Sequence, residues 1–155
     1  MMEPLEHCQL VGAIVMNLQA LETHLRYFLL KAHDQPVAFP KPGDKQVAHN
    51  YLTNRKSLNA LIDEYNAGLR DGEGEFSIAR SVVEARDAIA HGRLVTLDAF
   101  PATLWKFSKE RNGRVQVDFC EVLTREWLIA MRNKIDKERE KVLNLFNARG
   151  YKGMQ

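Results

Sequence analysis

Apolar residues recur at steps of three and four along most of the chain, a spacing that predicts α-helices. The first helix is expected from about residue 4 to residue 33, and its apolar seam runs over three heptads, as in helices that pack lengthwise against partners. The second is expected from Asp44, as its N-cap, to about residue 67. The third is expected over about residues 75–91, and the fourth from a Thr124 cap to about residue 148.

Between the third and fourth helices the apolar period changes to two. Runs at residues 103–109 and 115–119 flank the turn sequence Arg-Asn-Gly at 111–113, which predicts a β-hairpin. The expected fold is therefore all-α, an up-and-down four-helix bundle with a hairpin inserted at about residues 102–121. At 155 residues and 45% hydrophobic, the chain is long enough for one good core, so residues 1–155 are interpreted as a single domain.

The register of the predicted hairpin depends on its loop. A two-residue Asn-Gly loop would split the apolar side chains between the two faces. A three-residue loop at 111–113, with its glycine in the left-handed conformation, pairs Phe107 with Val117 instead. The same loop pairs Trp105 with Phe119, so the large apolar side chains share a face. We therefore expect the three-residue loop.

Charge is unevenly distributed along the chain. The formal net charge of +2 by itself predicts no nucleic-acid partner. Residues 1–75 hold 7 Lys and Arg against 10 Asp and Glu, a net charge of −3, whereas residues 76–155 hold 15 against 10, a net charge of +5. A phosphate-binding site is therefore favoured in the C-terminal half, although ordinary solvated helix faces explain the asymmetry about as well.

Several classes of site and location are disfavoured by the sequence. Cys8 and Cys120 show no metal or redox spacing, which indicates reduced thiols. The five histidines show no ligand spacing, and there is no phosphate-binding glycine loop or nucleophile elbow, so neither a metal nor a cofactor is expected. The N-terminus carries Glu3 and Glu6 without a basic segment, and no apolar run is long enough to span a membrane. We expect a cytoplasmic protein with no membrane partner.

The strongest candidate site lies at residues 86–92, where the third predicted helix ends. Asp87 and His91 are four residues apart, about 40° from each other around a helix, so the carboxylate can orient the imidazole and select its tautomer. Arg86 leaves the helix about 140° from His91. The simplest way to bring both to one ligand is a two-fold dimer in which this helix meets its own copy. Gly92 is expected to end the helix in the left-handed conformation.

Arg86, the adjacent Asp87, His91 and the following Gly92 resemble the signature of the HEPN domains (higher eukaryotes and prokaryotes nucleotide-binding). That signature is an arginine, a polar residue that is usually Asn, Asp or His, and a histidine four to six residues after the arginine. The resemblance implies a small helical bundle, usually a homodimer, whose paired motifs line a cleft at the interface. In many members this cleft is a metal-independent endoribonuclease, and such members occur in toxin–antitoxin and antiphage systems, so the resemblance also suggests an antitoxin partner.

Cleavage of RNA without a metal needs proton transfer at the 2′-hydroxyl and at the leaving oxygen, together with positive charge on the phosphorane. Histidine suits the proton transfers because it titrates near neutrality, and arginine suits the charge because its planar fork matches phosphate oxygens. The hypothesis is that His91 acts as acid and base, Arg86 stabilises the phosphorane and Asp87 orients His91. The product would be a 2′,3′-cyclic phosphate, formed at the interface of the dimer.

The predicted hairpin adds cations that can contact a nucleic-acid backbone, although such a tip is more often only a soluble turn. These cations are Lys106, Lys109, Arg111 and Arg114. Two other interpretations stay open. In one, the chain is a HEPN-like protein that binds RNA, a nucleotide or a protein partner without cleaving anything, and its motif is a polar network at an interface. In the other, it is an unrelated four-helix protein in which Asp87 pairs with a neighbouring cation.

Overall fold

A computed structural model of the chain describes residues 2–96 and 100–153. In these ranges the elements are α1 (Pro4–Ala32), α2 (Leu58–Ala67), α3 (Ser81–His91), β1 (Arg93–Val95), β2 (Thr103–Phe107), β3 (Val117–Val122) and α4 (Arg125–Ala148). The chain divides into two compact units. The sheet unit comprises Met1–Leu18 and Arg80–Asp136, and the helical unit comprises Gln19–Ala79 and Lys137–Gln155.

The prediction of an all-α, up-and-down four-helix bundle with an inserted hairpin is wrong. The strands form a three-stranded antiparallel sheet in the order β1-β2-β3, and α2 has only 10 residues. β1 follows α3 after a single residue, Gly92. Its three residues are too few to show an alternating pattern, so the sequence reveals a hairpin where the structure has a sheet. The fold combines α-helices with an antiparallel sheet and belongs to the α+β class.

The two long helices are confirmed nearly to the residue. α1 covers Pro4–Ala32, one residue short of its expected end. α4 begins directly after Thr124, whose Oγ1 accepts a hydrogen bond of 3.2 Å from the backbone N–H of Trp127. This contact is the predicted N-cap, which satisfies one of the backbone donors that the first turn of a helix leaves unpaired.

The second helix is much shorter than the prediction, and Asp44 does not cap it. α2 begins after Ser57, whose side chain accepts a hydrogen bond from the backbone N–H of Ala60. In the preceding segment the side chains of Asn50 and Asn54 accept hydrogen bonds from backbone N–H groups two residues further on, at 2.8 and 3.1 Å. Such local bonds compete with helix formation, which explains why the apolar pattern before Ser57 forms turns instead.

The third helix begins later than expected, because side chains satisfy the backbone that would start it. A short 3₁₀ turn covers Gly74–Phe76. The side-chain amide of Asn66 then accepts from the N–H of Ile78 at 2.9 Å and donates to its carbonyl at 3.0 Å. The N–H of Ala79 donates to the Glu138 carboxylate at 3.1 Å. These bonds hold residues 78–79 outside the helix, so α3 begins only at Ser81.

The hairpin between β2 and β3 has a different register from the one predicted. Phe107 pairs with Val117 as expected, but Trp105 pairs with Cys120 because β3 contains a bulge between these pairs. The expected pairing of Trp105 with Phe119 is therefore wrong. At the tip, Arg111 and Arg114 form a bridge.

The loop of the hairpin contains two residues, Asn112 and Gly113, with φ values of 53° and 73°. Positive φ at both central positions is what a type I′ turn requires, so the predicted three-residue loop is wrong. Ser108 N–H donates to the Gln116 carbonyl, and Arg111 pairs with Arg114. Two residues therefore lie between Ser108 and Arg111, but only one lies between Arg114 and Gln116. This extra residue, and not the loop, restores the pairing that places the apolar side chains together.

The helical unit is stabilised by a largely covered charged cluster around Arg149. Its guanidinium donates to both carboxylate oxygens of Glu73, at 2.6 and 3.1 Å, and to the carbonyl of Gly68 at 2.8 Å. It also lies 5.1 Å from the ring centroid of Phe28, whose side chain is buried. The hydrogen bonds from Arg149 and from the backbone N–H of Arg70 lower the pKa of Glu73 to about 2.

This lowered pKa predicts a stability contribution that depends on pH. Since the carboxylate is favoured in the folded state, its contribution is complete above the unfolded pKa of about 4.3 and is lost as the pH falls towards 2. We expect Glu73→Gln to lower the free energy of unfolding at pH 7, and the difference from wild type to shrink between about pH 4.5 and pH 2. Urea denaturation of both proteins across this range measures the difference.

The partner of Glu73 supplies the control for that experiment. In an Arg149→Met background the guanidinium is absent, so Glu73→Gln is expected to lose most of its pH-dependent effect. A difference between wild type and Glu73→Gln that stayed constant down to pH 2 would contradict the assignment of the ion pair.

Among the helices of residues 2–96 and 100–153, none combines the length and the apolar character needed to cross a bilayer.

Candidate functional site

The predicted site residues lie on the second half of α3, in the sheet unit. Val82, Ala85 and Ala88 form the buried face of this helix. Arg86 and Asp87 flank that face and are half-buried, while His91 is the last residue of the helix and is exposed. The sequence pattern therefore correctly predicts that the motif ends a helix, and the small buried residues explain how this helix packs closely against β2.

The Asp87 carboxylate is engaged by cations. Its Oδ1 accepts a hydrogen bond of 3.0 Å from Arg86, its neighbour in sequence. Its Oδ2 lies 3.9 Å from the ammonium group of Lys106 on β2. Lys106 points towards α3 because alternate residues of a strand face opposite sides of the sheet, and Leu104, two residues earlier, is buried on the same side. The structure thus brings together three of the predicted site residues as one ion-pair cluster.

His91 lies at a different part of the surface. It lines a shallow depression together with Arg93 of β1, Phe107 of β2, and Ser108 and Val115 of the hairpin. The depression beside Asp87 is lined by other residues, on α3, β2 and β3, and the two share none. Within one chain His91 therefore shares its depression with Arg93 and Phe107, whereas Arg86 is paired with Asp87.

Gly92 sets the position of His91 relative to the sheet, but not through the predicted left-handed conformation. Its φ and ψ are −80° and −179°, an extended backbone, so that prediction is wrong. Its N–H donates to the Ala88 carbonyl at 2.7 Å. A Cβ at this position would lie 2.7 Å from the Trp105 carbonyl oxygen and 2.9 Å from Leu104 Cδ1, with the Ala88 oxygen closer still. Only glycine allows α3 to end this close to β2.

The other predicted cations lie along the hairpin. Lys109, Arg111 and Arg114 line a depression at its tip, which also contains Asp118. Ser108 and Val115 line both this depression and the one that contains His91. The cations of the tip are therefore continuous with the His91 surface, whereas Lys106 faces α3 and pairs with Asp87.

Two residues next to His91 were missed by the sequence interpretation, Arg93 and Phe107. Arg93 pairs with Trp105 across the sheet, and its guanidinium carbon lies 5.6 Å from the ring centroid of Phe107. A signal was present in the sequence, since Arg93 follows His91 by two residues and Phe107 lies in the predicted hairpin. It was not interpretable without β1, because only the pairing of β1 with β2 brings the two together.

No group of three or more His, Cys, Asp or Glu side chains that could hold a metal ion occurs in the described part of the chain. Comparisons of the chain with protein-family models, with curated proteins and with solved structures found no match.

Proposed function

We propose that this protein is a metal-independent endoribonuclease of the HEPN type, which acts on RNA at the surface around His91. The observation that carries the proposal is the position of His91, an exposed residue at the end of α3 that lines the same depression as Arg93. An accessible group for proton transfer next to a phosphate-binding cation is what RNA cleavage without a metal requires. The resemblance of residues 86–92 to the HEPN signature supports the same conclusion.

The proposed reaction is internal transesterification. His91 accepts the proton of a 2′-hydroxyl, the 2′-oxygen attacks the adjacent phosphorus, and the bond from phosphorus to the 5′-oxygen breaks. The leaving 5′-oxygen takes a proton, so the products are a 2′,3′-cyclic phosphate and a 5′-hydroxyl. Arg93 is the cation best placed in the same chain to stabilise the charge on the phosphorane.

A homodimer would complete this chemistry. One His91 cannot be base and acid in the same step, and a two-fold contact presents the same residues twice, so the second copy would supply the other imidazole. The same contact would allow Arg86 of one copy to approach the His91 surface of the other. This proposal implies a cytoplasmic location, where RNA is accessible, and it is compatible with control by an antitoxin protein.

The second candidate function is binding of RNA or a nucleotide without cleavage. The ion-pair cluster of Asp87 favours a function without cleavage, because a carboxylate engaged by Arg86 and Lys106 is held by cations and not by the imidazole of His91. The same pairing was expected for an unrelated protein in which Asp87 contacts a neighbouring cation. In the second candidate function His91 and Arg93 would contact phosphate groups as donors, and no proton transfer would follow.

Incubation of the purified protein with mixed RNA in EDTA separates the two functions. The nuclease is expected to shorten the RNA and to leave 2′,3′-cyclic phosphate and 5′-hydroxyl ends, which end-group labelling before and after phosphatase treatment identifies. RNA that is bound in a filter assay but remains intact would support the second candidate. Products with 3′-hydroxyl ends would contradict the proposed reaction, since internal attack by the 2′-oxygen cannot give them.

A further inference from the structure

The face of the sheet that points away from α3 carries two partly exposed aromatic side chains, Trp105 and Phe107. Trp105 and Phe107 alternate along β2 with Leu104 and Lys106, which face the helix. Both rings are half-exposed. They line one open depression with Val117 and Cys120 of β3, the residues with which they pair. The lining surface of this depression is apolar.

The two rings do not stack on each other, and each keeps part of its surface exposed. Their centroids lie 6.3 Å apart and their planes are inclined by 70°, so neither ring stacks on the other. The Arg93 guanidinium lies over Phe107, 5.6 Å from its centroid, and adds a cation to the same face. Val117, opposite Phe107, is 60% exposed, which shows that nothing in the described chain covers this part of the sheet.

Charge indicates which class of partner fits this face. Phe107 lines both the apolar depression and the one that contains His91 and Arg93, and the latter is continuous with the hairpin tip. Along this path lie the cations Arg93, Lys109, Arg111 and Arg114, against two carboxylates, that of Asp118 and that of Glu110, which accepts a hydrogen bond from the N–H of Gly113 at the tip. Exposed aromatic side chains on an open sheet, followed by a row of cations, suit the binding of single-stranded nucleic acid. Its bases stack on the rings, and its phosphates bind the cations.

We propose that this face is a platform on which single-stranded RNA stacks, with one base on Trp105, one on Phe107 and the intervening phosphates on Arg93 and the hairpin cations. The proposal deepens the proposed function, on which it rests for the choice of RNA, because it leads the strand from the platform directly to His91. Stacking on exposed rings is tolerant of sequence, so the platform selects single-stranded over paired RNA and not one base over another.

Tryptophan fluorescence tests the platform without depending on cleavage. The chain contains two tryptophans, Trp105 and Trp127, and Trp127 contacts Phe119 on the helix-facing side of the sheet. In Trp127→Phe, Trp105 is therefore the only reporter. We expect a 2′-O-methyl oligouridylate, which binds like RNA but cannot undergo internal attack, to quench this fluorescence, and the same strand in a duplex to leave it unchanged.

Variants of the platform give the expected size of the effect. Trp105→Leu and Phe107→Leu keep an apolar side chain but remove the stacking surface, and each is expected to weaken binding of the same oligonucleotide by about 5- to 150-fold. Phe119→Leu is the matched control, because it removes an aromatic ring from the opposite face of the same sheet, and its affinity is expected to match wild type. The affinity for a DNA strand of equal sequence measures how much the 2′-oxygen contributes to binding.

The outcomes separate this proposal from the catalytic one. Quenching of Trp105 by the 2′-O-methyl strand, without cleavage of unmodified RNA of the same sequence and of mixed RNA, would retain the platform and reject the nuclease. The platform would be rejected and the nuclease retained if Trp105→Leu cleaved RNA with an unchanged KM and the oligonucleotide did not quench Trp105 in Trp127→Phe. Fluorescence that changes with protein concentration alone, and not with the oligonucleotide, would assign the face to self-association and overturn the proposal.

Discussion

Replacing His91 by alanine is expected to lower the rate of RNA cleavage by at least about 100-fold, because proton transfer by a positioned side chain contributes roughly 10²- to 10⁴-fold. The imidazole is exposed at the last residue of α3, so its removal leaves no cavity in the core. The free energy of unfolding is expected to change by less than about 0.5 kcal/mol. Initial rates on end-labelled RNA in EDTA, together with thermal unfolding, measure both quantities.

A second histidine provides the control for this experiment. His49 is exposed in the helical unit, outside the candidate site, and His49→Ala is expected to cleave RNA at the rate of wild type. A nuclease contaminant would act equally in all three preparations. If His91→Ala retained the wild-type rate in preparations where an unrelated inactive protein showed none, His91 would not be the catalytic group, and the function would reduce to binding at most.

Replacing Gly92 by alanine is expected to destabilise the sheet unit by about 3 kcal/mol, at the upper end of the range for overpacked positions. The new Cβ would meet backbone oxygens on both sides, those of Ala88 and Trp105, and backbone cannot move aside as a flexible side chain can. The result would be a fall in Tm of roughly 5–10 °C, measured by circular dichroism. Because His91 precedes this residue, a loss of cleavage below the melting temperature would accompany it.

Gly12 is the matched glycine for comparison. It lies inside α1, and a Cβ built there has no neighbouring atom within 4 Å. Alanine at this position is expected to stabilise the protein by about 0.5–1 kcal/mol through its higher helix propensity. The two glycine-to-alanine changes therefore have opposite signs. A Gly92→Ala protein with the Tm of wild type would show that α3 does not end as close to β2 as the structure has it.

The failed predictions for the start of the second and the third helix share a physical cause. The second helix was expected from Asp44 because apolar spacing continues through that segment, but Asn50 and Asn54 bond to their own backbone and Ser57 caps a shorter helix. A pattern of apolar positions reports which residues can be buried, whereas it does not report which backbone groups are already satisfied. The same reason explains the late start of α3, where Asn66 bonds both backbone groups of Ile78.

One part of the candidate site could be predicted from local spacing, whereas the rest depended on tertiary contacts. That Arg86, Asp87 and His91 occupy the end of a helix follows from local spacing, and the structure agrees. The partners of these residues were not predictable, because Lys106 reaches Asp87 only after β2 packs against α3. The prediction that Asp87 orients His91 assumed that nothing else competes for the carboxylate. A guanidinium next to it in sequence and an ammonium group from the sheet are competitors that helical geometry alone does not reveal.

Signals within a few residues were sufficient for α1, for α4 with its Thr124 cap, and for a turn at Asn112 and Gly113, since periodicity, capping and turn chemistry are local properties. Long-range pairing decided the rest. β1 is a strand only because β2 supplies its hydrogen bonds, and that pairing is what places Arg93 over Phe107 beside His91. Contacts between residues far apart in sequence depend on which backbone groups remain free after each element has formed, and only the folded chain determines that.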